Sequence, residues 1–148
     1  MLAYKELQDI LDTTVEWEKK MLDLYEVAEI AIKQEAAKDA IKFLKSNHSS
    51  HMEILKNIDV KDYGPNEYVK FTKDYHEEDI VPQREIHRDS TADELCEYML
   101  EYENKMRDFY QLIRDHLTTE QQRELFDSLV TFKENQIENI LNCKNKHI

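Results

Sequence analysis

Six polar side chains stand where helix periodicity calls for apolar ones. Glu18 lies within Leu7, Leu11, Thr14, Glu18, Met21, Tyr25 and Ala28, a run whose steps of three and four trace one helix face. Glu103 holds the same place within Cys96, Met99, Glu103, Met106, Tyr110 and Ile113. His48 and His51 interrupt Ala37, Ile41, Leu44, Leu55 and Ile58. Lys133 and Gln136 interrupt Gln122, Phe126, Leu129, Ile140 and Cys143. Each of the six is therefore expected to point at a bundle axis, at about one height. Carboxylates, imidazoles, an ammonium and an amide in a dry core have two outlets. They satisfy one another, or they hold a metal ion, because an unpaired buried charge costs several kcal/mol.

Four helices are needed to position them. The periodicity predicts Tyr4–Ala31, Glu35–Ile58, Ala92–His116 and Glu120–Asn142. Thr91 followed by Glu94, and Thr118 followed by Gln121, have capping-box spacing. Short turns at Lys33–Glu35 and Leu117–Thr119 make each pair an antiparallel hairpin. Between the hairpins runs a crossover, residues 59–90, with Pro65, Pro82 and the chain's one glycine, Gly64. Within it Asn66–Tyr75 is expected as a short helix. So few turn residues exclude an all-β fold. The 148 residues therefore read as one all-α domain. It is a left-handed, up-down-down-up, antiparallel four-helix bundle, with hairpins at 4–58 and 91–142.

The segment Glu16-Trp17-Glu18-Lys19-Lys20-Met21-Leu22-Asp23-Leu24-Tyr25 is echoed by Glu101-Tyr102-Glu103-Asn104-Lys105-Met106-Arg107-Asp108-Phe109-Tyr110. The same offset pairs His48 with Lys133, His51 with Gln136 and Glu53 with Glu138. With two hairpins, a long crossover, an inward Glu on the first and third helices, and Phe109-Tyr110 following the second of them, the chain resembles the ferritin-like superfamily. Within it, the rubrerythrin-like branch is the nearest likeness. That resemblance implies a ferritin-like bundle, two irons, and peroxide or oxygen chemistry or iron handling. Carried over residue by residue, Glu18 and Glu103 match the ligands of the first and third helices, and His51 matches the histidine of the second-helix motif. His48 stands where that motif has a bridging Glu. Lys133 and Gln136 stand where the fourth-helix motif has its Glu and His. Glu134 is one residue, about 100°, off the axis. Two bridging carboxylates and one histidine are thus missing from the pattern.

Three arrangements stay open. In a metal-free polar core, Lys133 takes the space of a metal and pairs with Glu18 or Glu103, while His48 and His51 hydrogen-bond to the remaining carboxylate. In a one-metal site, Glu18, His48, His51 and Glu103 hold Fe, Mn or Zn, ions suited to imidazole and carboxylate donors. In a different register, the histidines are simply solvated. The function expected is that of a ferritin-like protein with a degenerate site, a structural or interaction module and not an active di-iron oxidase. The alternative is a metal-binding redox or metal-handling protein. In the latter case electrons come from an external donor, since no Cys-x-x-Cys pair is present.

Other residues carry weaker signals. Tyr25 and Tyr110 lie about two turns from the inward glutamates, as ligand-supporting aromatics or as ordinary core tyrosines. Cys96 and Cys143 fall at one height on the third and fourth helices, as buried thiols, a disulfide or a redox or metal pair. His76-Glu77-Glu78-Asp79 and His87-Arg88-Asp89 read as solvated loop or as a surface cation site. Trp17, Leu24, Phe43 and Phe132 are candidates for a homodimer contact, and Trp17 equally for packing under the crossover. The net charge of -12 argues against nucleic acid and anionic membranes as partners. The absence of a long apolar run or a signal-peptide pattern makes a cytoplasmic location the expectation.

Overall fold

The structure, a computed structural model, describes residues 2–83, 86 and 90–147. Four long helices dominate it: α1 (Leu7–Ala31), α2 (Glu35–Lys56), α4 (Ala92–His116) and α5 (Glu120–His147). A strand β1 (Leu2–Glu6) precedes α1, and a 3-10 turn at Val60–Asp62, a strand β2 (Tyr68–Tyr75) and a four-residue helix α3 (Glu77–Ile80) occupy the crossover. α1 packs on α2 and α4 on α5, and the two pairs meet through α1 against α4 and α2 against α5. The molecule is therefore mostly helical around one packed core. Among the described residues no helix is long and apolar enough to cross a membrane.

Each helix buries the stripe that its sequence spacing marks. On α1 the buried set is Leu7, Ile10, Leu11, Thr14, Trp17, Glu18, Met21, Tyr25 and Ala28. On α4 it includes Cys96, Met99, Glu103, Met106, Tyr110 and Ile113, together with a second line of Leu95, Tyr102 and Phe109. Helix boundaries have local causes. α1 ends where Ile32 turns extended, its N–H donating to the Ala28 carbonyl at 3.0 Å. α4 starts at Thr91, whose hydroxyl accepts from the Glu94 N–H at 3.1 Å, a cap worth about 1 kcal/mol. α5 begins at Glu120, so Thr119, not Thr118, stands at the cap position. The Thr118 and Thr119 hydroxyls both donate to Glu67 Oε1, which ties the α4–α5 connection to the crossover.

The crossover corrects the sequence reading. Residues Leu2–Glu6 do not extend α1 but form a strand, and the segment expected as a helix at Asn66–Tyr75 contains a strand instead. The two strands pair antiparallel, with Glu6 opposite Tyr68, Lys5 opposite Val69 and Tyr4 opposite Lys70. An irregularity follows before Leu2 meets Tyr75. The physical reason lies in β2 itself: Val69 and Phe71 are buried while Tyr68 and Lys70 are exposed, the period of two that suits a half-covered strand. Phe71 and Tyr75 lie against Phe109 with ring centroids 5.6 and 5.1 Å away, and Trp17 meets Phe109 from α1 at 5.3 Å. Trp17, only 3% exposed, thus packs under the crossover and is not a surface contact. Burial of Phe71 and of Phe109 contributes roughly 1.5–3 kcal/mol each.

The ribbon is anchored at its helix end by hydrogen bonds that a sequence does not advertise. The Leu7 N–H donates to Glu67 O at 2.8 Å, the Gln8 N–H to Asn66 Oδ1 at 3.0 Å, and Gln122 Nε2 to Pro65 O at 2.6 Å. Gly64 carries φ +134°, and a Cβ there would stand 2.8 Å from Thr119 Cγ2. Both the backbone angle and the closeness of α5 require glycine at this bend.

Candidate functional site: a charged cluster in the core

The four long helices bring Glu18, Glu103, His48, His51 and Lys133 into one buried cluster. Glu18, His48, Glu103 and Lys133 have no exposed surface, and His51 is 5% exposed. Lys133 reaches from α5 to the middle. Its Nζ lies 2.8 Å from each oxygen of Glu18 and 3.2 Å from Glu103 Oε2. His48 Nε2 donates to the Glu18 main-chain carbonyl at 2.7 Å and lies 3.5 Å from Glu18 Oε2. His51 Nε2 is 3.9 Å from that same carboxylate oxygen. The His51 ring stacks on Phe132, centroids 4.0 Å apart and planes within 7°.

Tyrosines complete the carboxylate shells. Tyr102 donates its hydroxyl to Glu18 Oε1 at 2.8 Å, and Tyr25 donates to Glu103 Oε1 at 3.2 Å. Tyr25 is thus a buried core tyrosine whose hydroxyl is satisfied by Glu103. Tyr110 is buried near Thr14 and Glu18 without a well-formed hydrogen bond to either. Tyr102 escaped the sequence reading because it is one residue away from the axial stripe. The signal that would have found it is the second stripe, Leu95, Tyr102 and Phe109, and its repeat counterpart Trp17. Gln136 does not join the carboxylates. Its amide donates to Leu44 O at 3.2 Å and accepts from Asn47 at 3.4 Å, so it fastens α5 to α2.

Charge states follow from burial set against partners. Burial alone would raise the Glu18 carboxyl, but Lys133, His48 and His51 together outweigh it and hold it down at about 2. Burial likewise raises Glu103, and there it prevails. Lys133 pulls the other way, Glu18 repels, and Glu103 comes to about 7. Burial would strip the Lys133 proton, yet Glu103 and Glu18 more than compensate and the ammonium is retained more firmly than usual. Burial lowers His48 to about 4 and His51 to about 3 against the pull of Glu18, with Lys133 lowering both further. At neutral pH the cluster thus holds an ion pair, Glu18 with Lys133, two neutral imidazoles, and a Glu103 that keeps its proton to higher pH than an ordinary carboxyl.

Several buried atoms lack a hydrogen bond: His48 Nδ1, His51 Nε2 and Glu103 Oε2. The last of these still has its ion pair with Lys133. Among the described residues no group of three or more His, Cys, Asp or Glu side chains is arranged to hold a metal ion. Next to the cluster, a surface groove of about 320 Å³ runs between α2 and α5, lined by Asn47, His51, Ile54, Leu129 and Phe132.

The other sequence candidates fall outside the cluster. Cys96 and Cys143 are buried free thiols in contact with each other across α4 and α5. Burial, reinforced by Cys143, pushes the Cys96 thiol up to about 12. That leaves it a poor nucleophile at neutral pH. His76 and Asp79 close the first turn of α3, the His76 N–H donating to Asp79 Oδ2 at 2.8 Å. His87-Arg88-Asp89 lies outside the described residues. Phe43 is 56% exposed, while Leu24 and Phe132 are half-buried. Comparison with protein-family models, curated proteins and solved structures found no match to this chain.

Proposed function

We propose that this protein is a ferritin-like bundle of the rubrerythrin-like kind in which an ammonium ion has taken over from a metal centre. On this reading it serves as a structural or interaction module and not as a di-iron oxidase. One observation carries the reading: Lys133 Nζ lies within 2.8 Å of both Glu18 oxygens and 3.2 Å from Glu103. The donor set does not fit two metals. The Glu18 oxygens are taken up by Lys133 and Tyr102, Glu103 by Lys133 and Tyr25, and the Gln136 amide by α2. His48 and Lys133 stand where bridging carboxylates would be needed. The exposed Phe43 suits a homodimer contact, and the net charge of -12 disfavours nucleic acid and anionic membranes as partners.

Elemental analysis and an optical spectrum of aerobically purified protein test the reading. Metal far below one per chain and no ligand-to-metal absorption band are expected. A stoichiometric Fe, Mn or Zn ion that survives dialysis and is lost in His51→Ala would overturn it. That outcome would favour the second reading, an altered Glu/His site on Glu18, His48, His51 and Glu103, fed by an external electron donor if redox-active. The observation in favour of that alternative is the pair of buried imidazole nitrogens without hydrogen bonds. Sedimentation equilibrium tests the dimer, with a mass of two chains expected and Phe43→Ser shifting it toward one.

A further inference from the structure

We propose that two copies of this chain pair through α2 laid antiparallel on α2, with Phe43 of each copy docked against Ile54 of the other, at the groove between α2 and α5. The inference rests on the preceding reading that the chain forms a homodimer with Phe43 in the contact. It goes further by giving that contact its other half, its register and its charge pairs.

The groove is uncharged on a molecule that is elsewhere densely charged. Charged residues make up 35% of the chain, and its net charge is -12. Two copies therefore repel unless they meet where charge is absent. No acidic residue, lysine or arginine lines the groove between α2 and α5. Ile54, 65% exposed, stands at its edge, with the half-buried Phe132 across from it on α5. Phe43, 56% exposed, stands on the same strip of α2, about three turns away. Large apolar side chains with charges held to the margin are the composition of an interface core. The 22 residues of α2 make a helix about 33 Å long, and with α5 beside it the face is about 20 Å wide. Roughly 600 Å2 per copy, about 1,200 Å2 in all, is then covered, the lower end of what specific complexes bury.

The spacing of the strip makes it its own complement. Phe43, Asn47, Ser50 and Ile54 follow one another in steps of four, three and four, which keeps them on one helix face. The steps are the same in the reverse direction. An antiparallel copy turned about a two-fold axis between residues 48 and 49 therefore sets Phe43 opposite Ile54 and Asn47 opposite Ser50, and each pair occurs twice. Large side chains meet at the two ends, and the short Ser50 at the middle lets the helices approach. The charges agree with this register. Lys42 and Glu53 are exposed, and both project about 90° to the same side of the strip. The axis brings Lys42 of one copy beside Glu53 of the other, again twice. Within its own chain Glu53 has a loose contact with Lys56 at 3.5 Å, and its side chain stays 72% exposed, so it is free to turn to the second copy.

The test follows the whole chain by sedimentation equilibrium over a range of concentrations, with the fold of each variant checked by circular dichroism. Phe43→Ser and Ile54→Ser are expected to weaken the dimer alike, each by roughly a hundred-fold, because each removes the same two contacts. Lys42→Glu and Glu53→Lys are each expected to weaken it by roughly ten-fold. An equimolar mixture of these two charge variants should regain the original affinity as a heterodimer, since both cross-pairs are then matched. Damage within one chain is not repaired by mixing, so the recovery reads the contact between chains. A dimer indifferent to Ile54→Ser overturns the inference, and so does a mixture no tighter than its two components. In either case the dimer uses another face, and the homodimer itself stands. An unaltered protein that stays monomeric at every concentration refutes the homodimer and this inference together, and leaves the groove to a different protein.

Discussion

Glu18 and Glu103 occupy equivalent places in two repeated segments, are equally buried, and touch the same ammonium, yet their acidities separate in opposite directions. Glu18 is driven below the ordinary carboxylate range and Glu103 well above it. The difference comes from the helices opposite. α2 gives Glu18 two imidazoles and α4 gives it the short Tyr102 bond, while Lys133 meets both of its oxygens. Glu103 has one ammonium contact, one longer tyrosine bond and the repulsion of Glu18. Depth of burial therefore does not decide the state of a buried acid; the count and quality of its partners do.

The largest expected effect comes from removing what the two acids share. Lys133→Met should destabilise the fold by about 3–5 kcal/mol, read by urea denaturation at neutral pH, because it leaves two buried carboxylates without a cation. A change below about 1 kcal/mol would show that Lys133 is not their counter-charge. Next comes the direct contrast. Glu18→Gln should cost about 3 kcal/mol, since it breaks a fully engaged ion pair. Glu103→Gln should cost about 1 kcal/mol, the scale of one imperfect hydrogen bond, because that acid already carries a proton much of the time near neutrality. Equal losses in the two variants would erase the proposed asymmetry.

The pH dependence sharpens it further. His48 and His51 titrate at about 4 and about 3 in the fold against an ordinary 6.5. The unfolded chain therefore takes up protons first, and their contribution is full above 6.5 and lost as pH falls. Glu103 acts oppositely: its raised value favours the fold at low pH, and that contribution fades as pH rises from its ordinary 4.5 toward about 7. Two imidazoles outweigh one carboxyl, and Glu18, held at about 2, adds its own loss below its ordinary 4.5, so stability should drop by about 4 kcal/mol between pH 6.5 and 4. A His48→Asn, His51→Asn double variant should reverse the slope in that range, as followed by thermal melts across pH. The smallest effect concerns the hydroxyls. Tyr102→Phe should cost about 1.5 kcal/mol and Tyr25→Phe about 0.5 kcal/mol, because only the first serves a fully ionised acceptor.

The sequence was legible where one helix period governs. Glu18, His48, His51, Glu103 and Lys133 converge as their stripes require, because side chains three and four apart share a face. Gln136 sits in its stripe but spends its amide on α2, a choice of rotamer and partner that spacing does not encode. Tyr102 was overlooked because α4 buries two stripes where one was read. The strand at Tyr68–Tyr75 was within reach, since its alternation of Val69 and Phe71 is a period of two. Its partner Leu2–Glu6 was not, since that pairing joins segments far apart in the chain, which local periodicity does not encode.

Lys133 also changes what the fold needs from its surroundings. A dissociable ion leaves a protein when its supply runs low or a chelator competes for it. An ammonium carried on the backbone of α5 is present at one equivalent at every dilution. The charge of Glu18 is thus balanced from the moment the helices close, whatever ions the solution holds.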